Sequence, residues 1–241
     1  MQGNLYVGVA AQVALQKRLD TIAHNVANAT TAGFRAEEVR FETVLAQAGS
    51  DSIAFSASGP SYLSRRSGEF VKTDNALDLA VEGDAWLSMQ TPTGQAYTRD
   101  GRLRMTPTGE LQTLSGHQIL DAGGAPLLLD PNGGPPRIAR DGTIFQGNRQ
   151  IGAVGLFNIE STANLTRYQN SGVIPDRPAT PVVDFTRSGV SQGFIENSNV
   201  NAVMEMTRLI SVTRAFEMVS ASLTASETSL QDAIKALGST T

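Results

Sequence analysis

The sequence predicts an α+β protein in which long N- and C-terminal helices pair as a coiled coil and a central all-β domain is inserted between them. Three observations lead there. Leu209, Val212, Phe216, Val219, Leu223, Ser226, Leu230, Ala233 and Leu237 follow one another at alternating spacings of three and four, a heptad seam with no Gly or Pro inside it. Leu15, Leu19, Ile22 and Val26 repeat that spacing near the other end. Between Phe70 and Phe194 the helical period gives way to short apolar runs punctuated by glycine.

The first helix is expected over residues 3–28. Leu5, Val9 and Val13 continue its apolar face loosely, and Lys17, Arg18 and Asp20 are its only clear charges. The run Asn25-Val-Ala-Asn28-Ala-Thr-Thr-Ala-Gly33-Phe34 then stops it. Asn and Thr compete for backbone hydrogen bonds, and Gly33 supplies the left-handed conformation common past a helix end. Residues 36–45 suit a further short helix or an extended arm. Residues 46–68, rich in Ser, Gly and Ala, show no period and read as a connector or exposed loop.

The β region has glycines at 83, 94, 101, 109, 116, 123 and 124. Between them lie candidate strands at 79–81, 86–89, 103–105, 118–120 and 127–129, with others at 144–145 and 153–159. Asp100-Gly101 and Asp141-Gly142 are hairpin-turn dipeptides, and Thr93-Gly94 and Thr108-Gly109 also suit tight turns. About eight to eleven short strands result. Residues 172–192, interrupted by proline, read as an extended return path to the last helix. The expected domains are therefore 1–35 with 195–241, a connector or extended arm over 36–69, and a β domain with an extended return segment over 70–194.

The last helix would be roughly 55 Å long at 1.5 Å per residue, too long to be covered by a small domain. Thr207, Ser211, Thr213, Ser220, Ser222, Thr224, Ser226, Thr228 and Ser229 occupy positions where a solvated helix carries Lys and Glu. Small uncharged residues on several faces point to a helix that meets other chains.

Composition narrows the chemistry. The 241 residues are 40% hydrophobic and 6% aromatic, enough for a light core. A net charge of −4 gives no basic footprint, so nucleic acid is not an expected partner. The absence of Cys excludes disulfides, thiolate metal sites and a catalytic thiol. No apolar stretch is long enough to span a bilayer, so no direct membrane insertion is expected. Lys17 and Arg18 follow the mildly apolar start instead of preceding it, which reads as mature helix and not as a cleaved signal peptide.

No catalytic, cofactor or metal site is expected. His24 and His117 are the only histidines and lack partners at ligand spacing. Asp74, Asp78, Glu82 and Asp84 cluster without the D-x-D-x-D-G pattern of a calcium loop. Asn28-Ala-Thr30 and Asn164-Leu-Thr166 match a glycosylation pattern weakly. Trp86 is expected to fill the β core. No nucleotide-binding or nucleophile-elbow pattern occurs, which argues against an enzyme.

Three segments together resemble the flagellar rod–hook family of axial proteins. Residues 19–34, with Asn25, Asn28, Gly33 and Phe34, resemble its N-terminal motif. Leu77-Asp78-Leu-Ala-Val-Glu82-Gly83-Asp84, then Tyr97-Thr-Arg99-Asp100-Gly101, is similar to its central β signature. Ser198-Asn199-Val200, Glu205-Met206, Leu209-Ile210 and Arg214-Ala-Phe216-Glu217 are similar to its C-terminal helix. His24 stands where the family usually has Asn, and Phe216 where it usually has Tyr. One β domain in 241 residues, and Asn201-Ala202 after Ser-Asn-Val, resemble the proximal-rod member more than the distal one.

The resemblance implies a structural subunit of the rod that crosses the periplasm, exported by the flagellar type III apparatus without a cleaved signal. Its implied partners are itself and other proximal and distal rod proteins. Subunits would stack helically through the two seams, terminal helices inside and β domains outside. In the free monomer the terminal helices would then be largely disordered and order on assembly. The competing readings are a secreted β-rich binding module oligomerised by its helices, with a groove near Trp86, and a hydrolase using Asp74, Asp78 or Asp84.

Overall fold

The computed structural model describes residues 2–48 and 51–238, with side chains described over 6–39, 61–229 and a few neighbouring positions. Leu5, Leu230, Ala233 and Leu237 of the expected apolar faces lie outside the described side chains. Helix α1 spans Gln2–Ala27 and α2 spans Ala202–Gly238. Two long strands, β1 (Glu37–Ala48) and β2 (Asp51–Leu63), form a two-stranded sheet. The chain divides into two compact units. One gathers α1, the β1–β2 sheet and α2, and the other holds Asn28–Ala36 and Leu63–Val200.

In the helical unit α1 and α2 pack on one another. Ala14 and Ile22 are buried on α1, and Leu15, Leu19 and Val26 are half-buried. On α2 Val212 is buried, while Leu209, Phe216, Val219, Leu223 and Ser226 are half-buried. The helices approach closely at Gly8, where an added Cβ would stand 2.5 Å from Leu223 Cδ2. Asn201 caps α2: its Oδ1 accepts the Met204 amide at 3.0 Å, and its carbonyl accepts the first helical bond from Glu205. Glu205 in that first turn suits the helix dipole and pairs with Arg208 at 2.5 Å.

The β unit carries fifteen strands, several of only two or three residues, where eight to eleven were expected. Its centre is a six-stranded sheet in the order β13 (Leu165–Tyr168), β14 (Gly172–Pro175), β6 (Gly94–Thr98), β5 (Ala85–Thr91), β12 (Leu156–Asn158), β15 (Thr180–Pro181). Side-chain alternation along β5 feeds two cores. Ala85, Leu87 and Met89 enter the larger one with Leu79, Leu111, Ile119 and Ile144. Trp86 enters the smaller one with Tyr97, Phe157, Ile159 and Val173. Register explains the sorting, because Trp86 faces Phe157 and Tyr97 faces Val173 across neighbouring strands.

Short ladders surround this sheet: β3 (Phe70–Lys72) with β17 (Phe194–Glu196), β4 (Leu79–Glu82) with β16 (Gly189–Gln192), β7 (Leu103–Met105) with β8 (Leu111–Thr113), and β9 (Arg137–Ile138) with β10 (Thr143–Gln146) and β11 (Arg149–Ala153). The turn at Asp141-Gly142 joins β9 to β10, Thr93-Gly94 joins β5 to β6, and Thr108-Gly109 joins β7 to β8.

Three local expectations are corrected. Of the two readings of residues 36–45 the extended arm holds, as β1, while residues 46–68 are not an aperiodic connector, since β2 occupies most of them. Asp100-Gly101 is not a hairpin turn: β6 and β7 lie in different sheets, and the Gly101 carbonyl accepts the Leu79 amide. Residues 118–120 and 127–129 make isolated bridges and not strands. The proline-interrupted return path is extended as expected and carries β14, β15 and β16, the first two ending at Pro175 and Pro181.

Gly101 packs so tightly that an added Cβ would stand 1.7 Å from the Leu79 carbonyl oxygen. Gly101→Ala is therefore expected to cost about 3 kcal/mol through overpacking against backbone. Urea unfolding followed by Trp86 fluorescence checks this; an unchanged midpoint contradicts the close approach.

Candidate functional site

The segments that end α1 and precede α2 meet inside the β unit around one carboxylate. Glu196 lies at the end of β17, a strand that pairs in register with β3. Its side chain is 1% exposed. Oε2 accepts Arg99 Nε at 2.7 Å, and Oε1 accepts Arg35 Nη2 at 2.8 Å and the Gly68 amide at 2.9 Å. Arg99 spends its other donors on the carbonyls of Gly83 and Ala85 and on Ser67 Oγ. Both guanidiniums lie over the Trp86 ring, at 5.6 Å for Arg35 and 5.8 Å for Arg99. Such stacking suits guanidinium better than ammonium.

Backbone contacts complete the clasp. The Gly33 amide donates to the Glu196 carbonyl at 2.7 Å, and the Asn199 amide donates to the Phe34 carbonyl. Asn199 Oδ1 accepts the Ala36 amide at 2.7 Å, while its Nδ2 donates to the Arg66 carbonyl. Phe34 is fully buried beneath the Arg167 guanidinium, 4.3 Å from the ring centroid, and Arg167 donates to the Arg35 carbonyl. Gly33 has φ of 67°, and an added Cβ would stand 2.2 Å from the Asp100 amide nitrogen. Only glycine meets both demands.

Burial lowers the pKa of Arg35 to about 10 and also lowers that of Arg99, against the raising influence of Glu196. Two cations and one anion share this interior, so Glu196 has no substitute.

Of the motif residues singled out in the sequence, Gly33, Phe34, Gly83, Arg99 and Asn199 come together here, and Asp100 and Gly101 lie against Gly33 and Leu79. Asp100 pairs with Arg102 at 2.7 Å, Asp78 accepts Asn75 Nδ2, and Ser198 Oγ accepts the Val200 amide. Asp84 is exposed beside the clasp. In the helical unit Asn25 exchanges two hydrogen bonds with the Glu37 backbone, and His24 Nδ1 stands 3.7 Å from the Glu37 carboxylate. Arg214 and Glu217 are exposed on α2. Asn28 accepts the Thr31 hydroxyl. His117 stacks edge-on against Tyr168. Among the described residues no group of three or more His, Asp or Glu side chains stands at metal-binding distance, and no helix is long and apolar enough to cross a membrane.

Sequence reasoning missed Arg35, Glu196 and Arg167. Glu196 and Arg99 are 97 residues apart, and nothing local marks either as buried. The one signal was adjacency, since Arg35 follows Gly33-Phe34 and Glu196 closes an apolar Phe-Ile pair just before Ser198-Asn199.

Residues 5–35 match the family described as flagella basal body rod protein, residues 80–146 the flagellar hook protein FlgE/F/G D1 domain, and residues 191–236 the flagellar basal body rod FlgEFG protein C-terminal segment. The flagellar basal-body rod protein FlgF of Mesorhizobium japonicum is 50% identical over 239 residues, covering 99% of each chain. The chain belongs to the FlgF family of flagellar basal-body rod proteins. FlgF of Rhizobium meliloti is 47% identical, again over 99% of each chain, and the rod protein FlgG of Bacillus subtilis is 29% identical over 97% of this chain and 98% of its own. Membership makes the chain a structural subunit of the rod in the flagellar basal body, with other rod components as partners, and not an enzyme. Neither a secreted binding module nor a hydrolase is favoured.

Two outcomes follow for this family member. Glu196→Ala leaves two buried guanidiniums without their anion and is expected to lower stability by about 3–5 kcal/mol; calorimetry showing less than about 1 kcal/mol contradicts the clasp. Glu82 gives a pH effect. Its pKa lies below the ordinary 4.5 because Ser191 donates to it and, secondarily, because Arg140 pairs with it. That stability is complete above about 4.5 and lost as pH falls through the lower folded value. Glu82→Gln should therefore destabilise the protein at pH 7, by under about 1 kcal/mol at this partly exposed site, and the difference should close in strong acid. An equal gap at both pH values contradicts the assignment.

Proposed function

We propose that the chain builds the proximal part of the rod, polymerising helically with copies of itself and with neighbouring proximal and distal rod subunits through α1 and α2. It reaches the periplasm through the flagellar type III export apparatus. The terminal helices order fully only on assembly, when burial against other chains offsets their conformational entropy. Their seams, Leu15, Leu19, Ile22 and Val26 with Leu209, Val212, Phe216, Val219 and Leu223, pair as a coiled coil within the subunit. The relatives named FlgF, at 50% and 47% identity against 29% for the Bacillus subtilis FlgG, support the proximal assignment.

The observation that carries the assembly reading is the outer surface of α2. Val203, Met204, Met206, Ile210 and Met218 are each about half or more exposed, and Tyr6, Val9 and Val13 are similarly exposed on α1. The hydroxyls of Thr207, Ser211, Thr213, Thr224 and Thr228 donate to carbonyls four residues back in the same helix. Their donors are thus satisfied internally, leaving a charge-poor surface that other helices can approach closely.

Ile210→Asp and Met218→Asp should leave thermal unfolding of the soluble protein unchanged and block its incorporation into isolated basal bodies, with loss of swimming. Normal incorporation of both variants overturns the proposal.

A further inference from the structure

Beyond assembly through helices, the β unit holds a cavity of about 600 Å³ whose chemistry neither the family nor the clasp explains. Arg35, Arg65, Arg99 and Arg187 line it, together with Asp84, Asp184 and the Trp86 ring. Glu196, bonded to Arg35 and Arg99, supplies the third carboxylate. Four guanidiniums against three carboxylates leave one positive charge without a counter-charge.

The deficit is local. Arg35 is 2% exposed, and its Nε and Nη1 have no hydrogen-bond partner. A buried cation with idle donors carries a desolvation cost that the shared Glu196 carboxylate and the Trp86 ring offset only in part. Its lowered pKa, about 10, has burial as the first cause. Arg65 differs: it donates to the carbonyls of Ile159, Glu160 and Ala163, which fixes it as a wall of the cavity.

We propose that this cavity is a binding site for one carboxylate group. A single negative charge closes the balance, and the planar fork of a guanidinium matches a carboxylate's two oxygens. Asp84 and Asp184 on the lining disfavour a doubly charged phosphate by like-charge repulsion. The carboxylate comes either from a free organic acid or from an acidic side chain of another polypeptide segment.

Trp86 is the sole tryptophan and lies on the cavity wall, so its emission reports occupancy. The soluble full chain is titrated with sodium acetate at constant ionic strength, with sodium chloride as the counter-titration. The site requires a saturable change in acetate that chloride does not produce. Arg187→Gln, at an exposed lining position, should raise the acetate midpoint about tenfold, the loss of one charge-assisted contact. Asp184→Asn, which removes a repelling charge, should lower the midpoint. A capped glutamate peptide that binds at least tenfold tighter than acetate identifies a polypeptide side chain as the occupant, and equal midpoints identify a free carboxylate. A linear response, an identical response to chloride, or midpoints that neither variant moves overturns the site.

Discussion

Glu196, 1% exposed between two guanidiniums, obliges the rest of the β unit to form around it. A carboxylate cannot be buried there unless Arg35 arrives from just beyond α1, Arg99 from just beyond β6, and the Gly68 amide from the segment after β2. Those approaches demand close backbone contact. Gly33 against Asp100 and Gly101 against Leu79 provide it, where any side chain would strike backbone atoms. The residues that follow α1 and those that precede α2 are thereby integral to the β unit.

The helices follow a different rule. Their stability cannot come from surface charge, which they largely lack, nor from propensity, because Ser and Thr are mediocre helix formers. The hydroxyls are turned inward to the helix backbone, and methionines and β-branched residues face outward. An isolated subunit gains little from such a surface, whereas a polymer can bury it on several sides.

How much of this was legible in the sequence divides by the range of the interactions. The two terminal helices and the turns at Gly94, Gly109 and Gly142 could be read because helical period and turn chemistry are local. The strand β2 could not, because Ser, Ala, Gly59 and Pro60 dilute its apolar pattern. Asp100-Gly101 misled for a related reason: the same dipeptide serves a hairpin or a crossing between sheets, and only the position of Leu79 decides. The clasp was half legible. Gly33, Phe34, Arg99 and Asn199 stood out through resemblance to a family, but Arg35, Arg167 and Glu196 look like ordinary surface charges until partners distant in sequence are brought beside them.

Hydrogen exchange on the soluble full chain at low concentration tests the central claim most directly, since it reads the clasp and the helices in one experiment. The account requires slow exchange over 63–200 and in the clasp segments 28–36 and 196–200, with fast exchange over α1 and α2. Terminal helices protected as strongly as the β unit in a monomer would contradict it, because they would then already be stable without other chains.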